Sequence, residues 1–175
     1  VAVGDYDSDK IEDYIKKYFD IDNKTKNPRE RIIEKVPSFS DYRVAIGSDP
    51  ELQMPSVGIT YFYDPYDGDF NEEAYKTSLI KQMITSMINM RLSDLAKKEN
   101  PDFIYSGSSN VGRLIRSKEV YAFYAGLQED KITTGFESLV REVERVIQHG
   151  FIKQEFDRVK SKFLNDLELA FNEKD

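Results

Sequence analysis

Twice in this chain two short runs of alternating or β-branched side chains follow one another, and one long stretch of helical periodicity separates the two pairs. The first pair is Asp41 to Gly47 with Val57 to Tyr63; the second is Phe103 to Ile115 with Val120 to Leu127. Both are rich in β-branched and aromatic residues and are bounded by turn clusters such as Ser48-Asp49-Pro50 and Asp64-Pro65-Tyr66-Asp67-Gly68. Such an order predicts an α+β fold, a mostly antiparallel sheet with helices packed on one face.

The remaining segments extend this frame. Val1 to Gly4 predicts a short strand, and Ser8 or Asp9 is placed to cap a helix with apolar positions Ile11, Tyr14, Ile15, Tyr18 and Phe19. From Asp20 to Ser40 the chain turns polar, with Pro28, Pro37 and a charge run from Arg29 to Lys35, and reads as an extended surface connection. Asn71 then caps a long helix that carries Glu72 and Glu73 in its first turn, where the helix dipole favours negative charge. Its apolar face holds Ile80, Met83, Ile84, Met87, Ile88, Arg91 or Leu92, and Leu95, and it ends before Asn100-Pro101. The glycines between Phe103 and Ile115 predict a strand bulge. Thr134 to Glu137 fits a capping box for a helix with the stripe Phe136, Leu139, Val140, Val143 and Ile147, closing at Gly150. A last helix carries Ile152, Phe156, Val159, Phe163, Leu167 and Phe171.

Residues 1–175 read as one domain whose two ends look like cuts in a longer chain, and a chain of this length buries roughly 70% of its unfolded surface without needing disulfides. With 25 basic against 32 acidic side chains the net charge is −7, which argues against nucleic acid or anionic lipid as a partner. Lys81, Gln82, Asn89, Arg91 and Asp94 interrupt the longest apolar stretch, so no membrane span is expected.

Chemistry is limited by donors. Hydrolytic zinc needs three protein ligands and an open position, and the chain has no cysteine and a single histidine, His149, placed at a helix C-terminus where an imidazole meets the dipole favourably. No serine lies in a Gly-x-Ser-x-Gly setting, and Ser106 to Gly112 lacks the Gly-Lys-Thr ending of a phosphate cradle. Asp64, Asp67 and Asp69 read as a calcium cluster or as a solvated turn, and the spacing departs from the calcium loop. Tyr61, Tyr63, Tyr66, Tyr121 and Tyr124 read as a peptide-binding surface or as sheet packing. No catalytic, cofactor-binding or metal-ligating residue is expected from this chain.

Three stretches resemble the insulinase or pitrilysin family of zinc peptidases. Val1-Ala-Val-Gly-Asp-Tyr-Asp with its helix ending Lys-Lys-Tyr-Phe is similar to the opening strand and helix of a metal-free repeat. Met90-Arg91-Leu92 through Ala96-Lys97-Lys98-Glu99 to Tyr105-Ser106-Gly107 is similar to the family's long helix and following strand. Gly150-Phe151-Ile152, Glu155-Phe156 and Val159 to Lys162 are similar to its closing helix start. The resemblance implies a mitochondrial-processing-peptidase-like metallohydrolase fold, in which several copies of one domain are joined and one copy carries the inverted His-x-x-Glu-His zinc motif. This chain would be a metal-free copy from a large bacterial member, next after the zinc domain. It implies zinc as a cofactor of the parent alone, other domains of the parent and a peptide substrate as partners, and a periplasmic or cell-envelope location. The family's substrate-assisting arginine is replaced by Ala96, and Tyr105 stands near the place of the tyrosine that accompanies it, at an altered spacing.

Two functions follow as expectations: a non-catalytic domain that supports the zinc domain and forms part of the substrate chamber, or an independent peptide-binding or assembly module that offers a sheet edge to an extended peptide. A hydrolase working through carboxylates alone is the third and least supported.

Overall fold

A computed structural model describes residues 3–19 and 27–173. Contacts divide the chain into two units, residues 1–32 and 33–175.

The first unit holds helix α1, Ser8–Phe19. Its cap is neither Ser8 nor Asp9 but the preceding Asp7, whose Oδ1 accepts from the N–H groups of Asp9 and Lys10 at 3.0 and 3.2 Å. The helix begins one residue earlier than expected, and a carboxylate at that point satisfies two orphan donors at once. Of the expected first strand, Val1 and Ala2 lie outside the described residues, and Val3 and Gly4 are not in a strand. Residues 20–26 of the polar connection also lie outside them.

The second unit is built on three strands, β1 (Ser56–Tyr63), β2 (Tyr105–Ile115) and β3 (Lys118–Gly126). They are ordered β1-β3-β2 with both neighbouring pairs antiparallel, as the α+β reading requires. Three helices follow the chain around this sheet, α2 (Glu72–Ala96), α3 (Ile132–His149) and α4 (Lys153–Asn172). Asn71 caps α2 as its sequence demands, with Oδ1 accepting from the Ala74 N–H at 2.9 Å. Ile88 and Leu92 from α2 and Leu139 and Val143 from α3 meet Phe123, Ala125 and Leu127 in one core, with Phe103 closing its end. Helix α4 packs on α2 through Val159 and leaves Phe171 exposed.

Three expectations are corrected. Asp41 to Gly47 has no regular structure and pairs with no strand among the described residues, where β1 is laddered to β3 alone; Tyr42, Val44 and Ile46 are 101%, 84% and 93% exposed. Helix α3 does not start at a capping box: it grows directly from a 3₁₀ turn, Glu129–Lys131, so Thr134 already sits in its first turn with Oγ1 donating to the Lys131 carbonyl. Ile80 is exposed, since the first turns of α2 project beyond the core. The bulge is present where the glycines suggested it, with register shifts on either side of Gly112 at φ +71°.

The polar connection is tied down near its end. Lys118 is buried at the start of β3, and its Nζ donates to Ser38 Oγ at 2.7 Å and Asp64 Oδ1 at 2.6 Å, while the Val36 N–H donates to Ser117 Oγ at 3.2 Å. Residues 36–38 are thereby held against the β2–β3 turn.

Candidate functional site

Side chains alternate across a strand, so the register sorts the tyrosines by face. Tyr61, Tyr63 and Tyr121 point to the helix side. The Tyr121 hydroxyl donates to Thr85 Oγ1 at 3.1 Å and lies 3.0 Å from Ser108 Oγ, and its ring packs on Phe123 with centroids 5.2 Å apart. Tyr61 meets Phe123 edge-on, and the Tyr63 hydroxyl donates to Asn110 Oδ1 at 3.1 Å. Burial first, and then neighbouring acidic groups, Glu144 for Tyr61 and Glu119 for Tyr63, push both phenols above their ordinary value. These three therefore pack the sheet, and Tyr66 lies exposed in the turn with its ring over Gly68.

Tyr124 is on the other face, opposite the core that α2 and α3 build on the sheet, and Tyr105 joins it there with ring centroids 6.5 Å apart. Both are about half exposed. Their rings lie flat because glycines stand opposite: a Cβ on Gly107 would come within 2.7 Å of the Tyr124 hydroxyl, and one on Gly126 would strike the Tyr105 ring. Two tyrosines over two glycines make a shallow aromatic platform, a surface that gives contact area at low entropy cost.

On the opposite face Arg91 is the electrostatic centre. Its Nε and Nη2 donate to the Glu155 carboxylate at 2.5 and 2.7 Å, Nη1 to Glu142 Oε1 at 3.3 Å, and Nη2 to the Gly150 carbonyl at 2.9 Å. Glu155 also accepts from the Ile152 N–H, which starts α4. The bond to Arg91 holds the Glu155 carboxyl below the usual carboxylate range, and Glu155 in turn pushes the guanidinium up. This fork joins α2, the α3–α4 corner and α4. The depression beside it carries Arg91, Lys98 and Arg145 against Asp94, Glu142 and Glu155, so its charges balance.

His149 ends α3 on the surface, Asp64 and Asp67 pair with Lys118 and Arg113, and Glu142 and Glu155 with Arg91. Among the described residues no group of His, Asp or Glu is arranged to hold a metal ion. Ala96 ends α2 and Tyr105 opens β2 on the same face as Tyr124. Sequence reasoning put Tyr124 in one group with Tyr61, Tyr63, Tyr66 and Tyr121, as a peptide-binding surface or as sheet packing, and missed both its partner on the platform and the Arg91 fork. A lone arginine inside the apolar stripe of α2 was the available signal.

Residues 1–163 match the family model described as the peptidase M16 inactive domain. Over 176 residues the chain is 24% identical to a PQQL-like zinc protease of Arabidopsis thaliana, covering 100% of this chain and 15% of that protein. Over 158 residues it is 25% identical to a probable zinc protease PqqL of Haemophilus influenzae, covering 89% and 17%. The chain thus spans less than a fifth of the length of these curated relatives. In fold it is similar to the periplasmic protease PqqL from Escherichia coli, with TM-score 0.69 at 21% identity over 98% of this chain and 19% of that one. It is also similar to a protein described as a predicted insulinase family protease from Yersinia pestis, with TM-score 0.72 at 15% identity over 97% and 36%.

Proposed function

Because the chain belongs to the peptidase M16 inactive-domain family, we propose that it is a non-catalytic domain of a zinc-dependent endopeptidase that hydrolyses peptides or unfolded proteins. It supports the zinc-bearing domain and contributes the Tyr105–Tyr124 face of its sheet to the wall of the substrate chamber. Residues 1–175 act as a single domain in this role and supply no catalytic, cofactor-binding or metal-ligating group; zinc is held elsewhere in the parent. The partners are the other domains of that parent and its peptide substrate. Likeness to a periplasmic protease supports a periplasmic or cell-envelope location.

The observation that carries the reading is the platform of Tyr105 and Tyr124, a half-exposed aromatic surface on the side of the sheet opposite the α2–α3 core. In a chamber it would meet substrate without performing chemistry. In the full-length parent, Tyr105→Ser with Tyr124→Ser should raise KM on the order of tenfold, about 1.4 kcal/mol, with kcat little changed. An unchanged KM would remove the chamber-wall role. Chelator-sensitive hydrolysis by the isolated 175-residue chain would overturn the non-catalytic assignment.

A further inference from the structure

The Tyr105–Tyr124 face of the sheet carries a glycine in each strand, Gly58 in β1, Gly107 in β2 and Gly126 in β3. Two of the three are roofed by rings, Gly126 by Tyr105 and Gly107 by Tyr124. Gly58 pairs with Tyr124 from the β1 side, so this tyrosine has a glycine partner on each flank. Its ring leans over Gly107, and nothing takes the corresponding place over Gly58. Among the described residues, a Cβ on Gly58 would meet the Phe123 carbonyl oxygen at 3.3 Å and no side chain. A glycine inside a strand weakens it, and marks a bulge, a bend or the close approach of another group. The β1–β3 register runs unbroken from Ser56 to Tyr63, which leaves no bulge to use Gly58 and points to close approach.

Charge limits what can approach. One residue in three of the chain is charged, 33%, yet the strand positions around Gly58 on this face, Ser56, Thr60, Ala122 and Ser109, carry no charge. On β3 the next charged residue of that face is Lys118 at the far end of the strand, buried against Ser38 and Asp64. A basic side chain over Gly58 would find a tyrosine ring but no carboxylate from these strands, and an acidic one no cation. We propose that the space over Gly58 is a subsite for an uncharged aromatic side chain of the substrate, which lies on the glycine and against the Tyr124 ring as Tyr124 lies on Gly107 and Tyr105 on Gly126. The tilted Tyr105–Tyr124 pair, at 57° and 6.5 Å, already shows the ring spacing this face imposes, and it falls in the range aromatic pairs favour. The subsite presupposes the chamber-wall role of this face and gives it a substrate class, extended segments that carry Phe or Tyr, which unfolded chains expose and folded ones mostly bury.

The test uses the full-length parent and a series of peptides in which Phe, Leu or Lys is moved one position at a time along a Gly-Ser segment beside a fixed cleavage site. At one position Phe should give a KM about fivefold lower than Leu or Lys, the discrimination expected of one aromatic pair. Gly58→Thr fills the seat with a side chain that strands favour, and Tyr124→Ser removes its wall. Each should bring the KM of the Phe peptide up to that of the other two, and the pair of variants keeps the result readable if one of them does not fold. A preference for Lys, no preference at any position, or a preference for Phe that survives both substitutions would overturn the proposal. A general rise in KM with Tyr105→Ser and Tyr124→Ser, in a parent that never preferred Phe, would sink the subsite and leave the chamber wall standing. A lower melting temperature with Gly58→Thr at unchanged peptide preference would put another domain of the parent over Gly58, and would overturn it as well.

Discussion

At the scale of single residues, Arg91 and Glu155 are the pair on which most geometry converges. Glu155 receives both the guanidinium fork and the Ile152 N–H, so its loss leaves Arg91 with Glu142 and the Gly150 carbonyl only. Glu155→Gln should cost about 2–3 kcal/mol in a urea titration at neutral pH, less than the 3–5 kcal/mol typical of a fully buried broken pair because those two partners remain. The pH dependence follows from the direction of the shift. The folded carboxyl binds its proton more weakly than the unfolded one, so its stabilisation is present above the ordinary value of 4.5 and is lost as pH falls through the folded value. The gap between wild type and Glu155→Gln should accordingly narrow below about pH 4.5. A gap that widens on acidification would contradict the assigned direction.

Among the elements, α3 shows how packing overrides propensity. Gly135 lies in its first turns and costs the helix up to about 1 kcal/mol relative to alanine. A Cβ there would nevertheless run into Leu127 and come within 2.9 Å of the Asp102 carbonyl oxygen, and the latter is backbone that does not yield. Gly135→Ala should therefore lower stability by about 1–3 kcal/mol despite its better propensity, as other overpacked positions do; a higher urea midpoint would show that the corner between Asp102 and Leu127 is softer than it looks. The elements themselves were readable. The Asn71 cap, the end of α2 before Asn100-Pro101, the bulge at Gly112 and the closure of α3 at Gly150 each depend on local chemistry that a sequence carries openly. What failed depended on partners. Asp41 to Gly47 has the alternation of a strand but no ladder, and Thr134 has the spacing of a capping box although a 3₁₀ turn had already started the helix. The platform was hidden for a similar reason: its two rings come from β2 and β3, and only the register reveals that each lies over a glycine.

For the molecule as a whole, Lys118 separates stability from attachment. Its side chain is 5% exposed while its partner Asp64 is 84% exposed, so Lys118→Met would exchange a buried charge for an apolar chain and leave Asp64 to water. The melting temperature should change by only a few degrees, since such replacements are often neutral. The connection, released from Ser38, should be cut faster by trypsin at Arg29, Arg31 or Lys35. Equal cleavage rates in the two proteins would mean that the connection is held by something else.

The strand order has a temporal consequence. The ribosome delivers β1 first, but its neighbour β3 arrives only after α2 and β2, so the uncharged stretch from Ser56 to Tyr63 must wait while the β2–β3 hairpin closes across the short turn at Arg116-Ser117. During that interval the nascent chain presents an uncharged, β-prone segment without its partner, which makes it a natural point of capture for a chaperone.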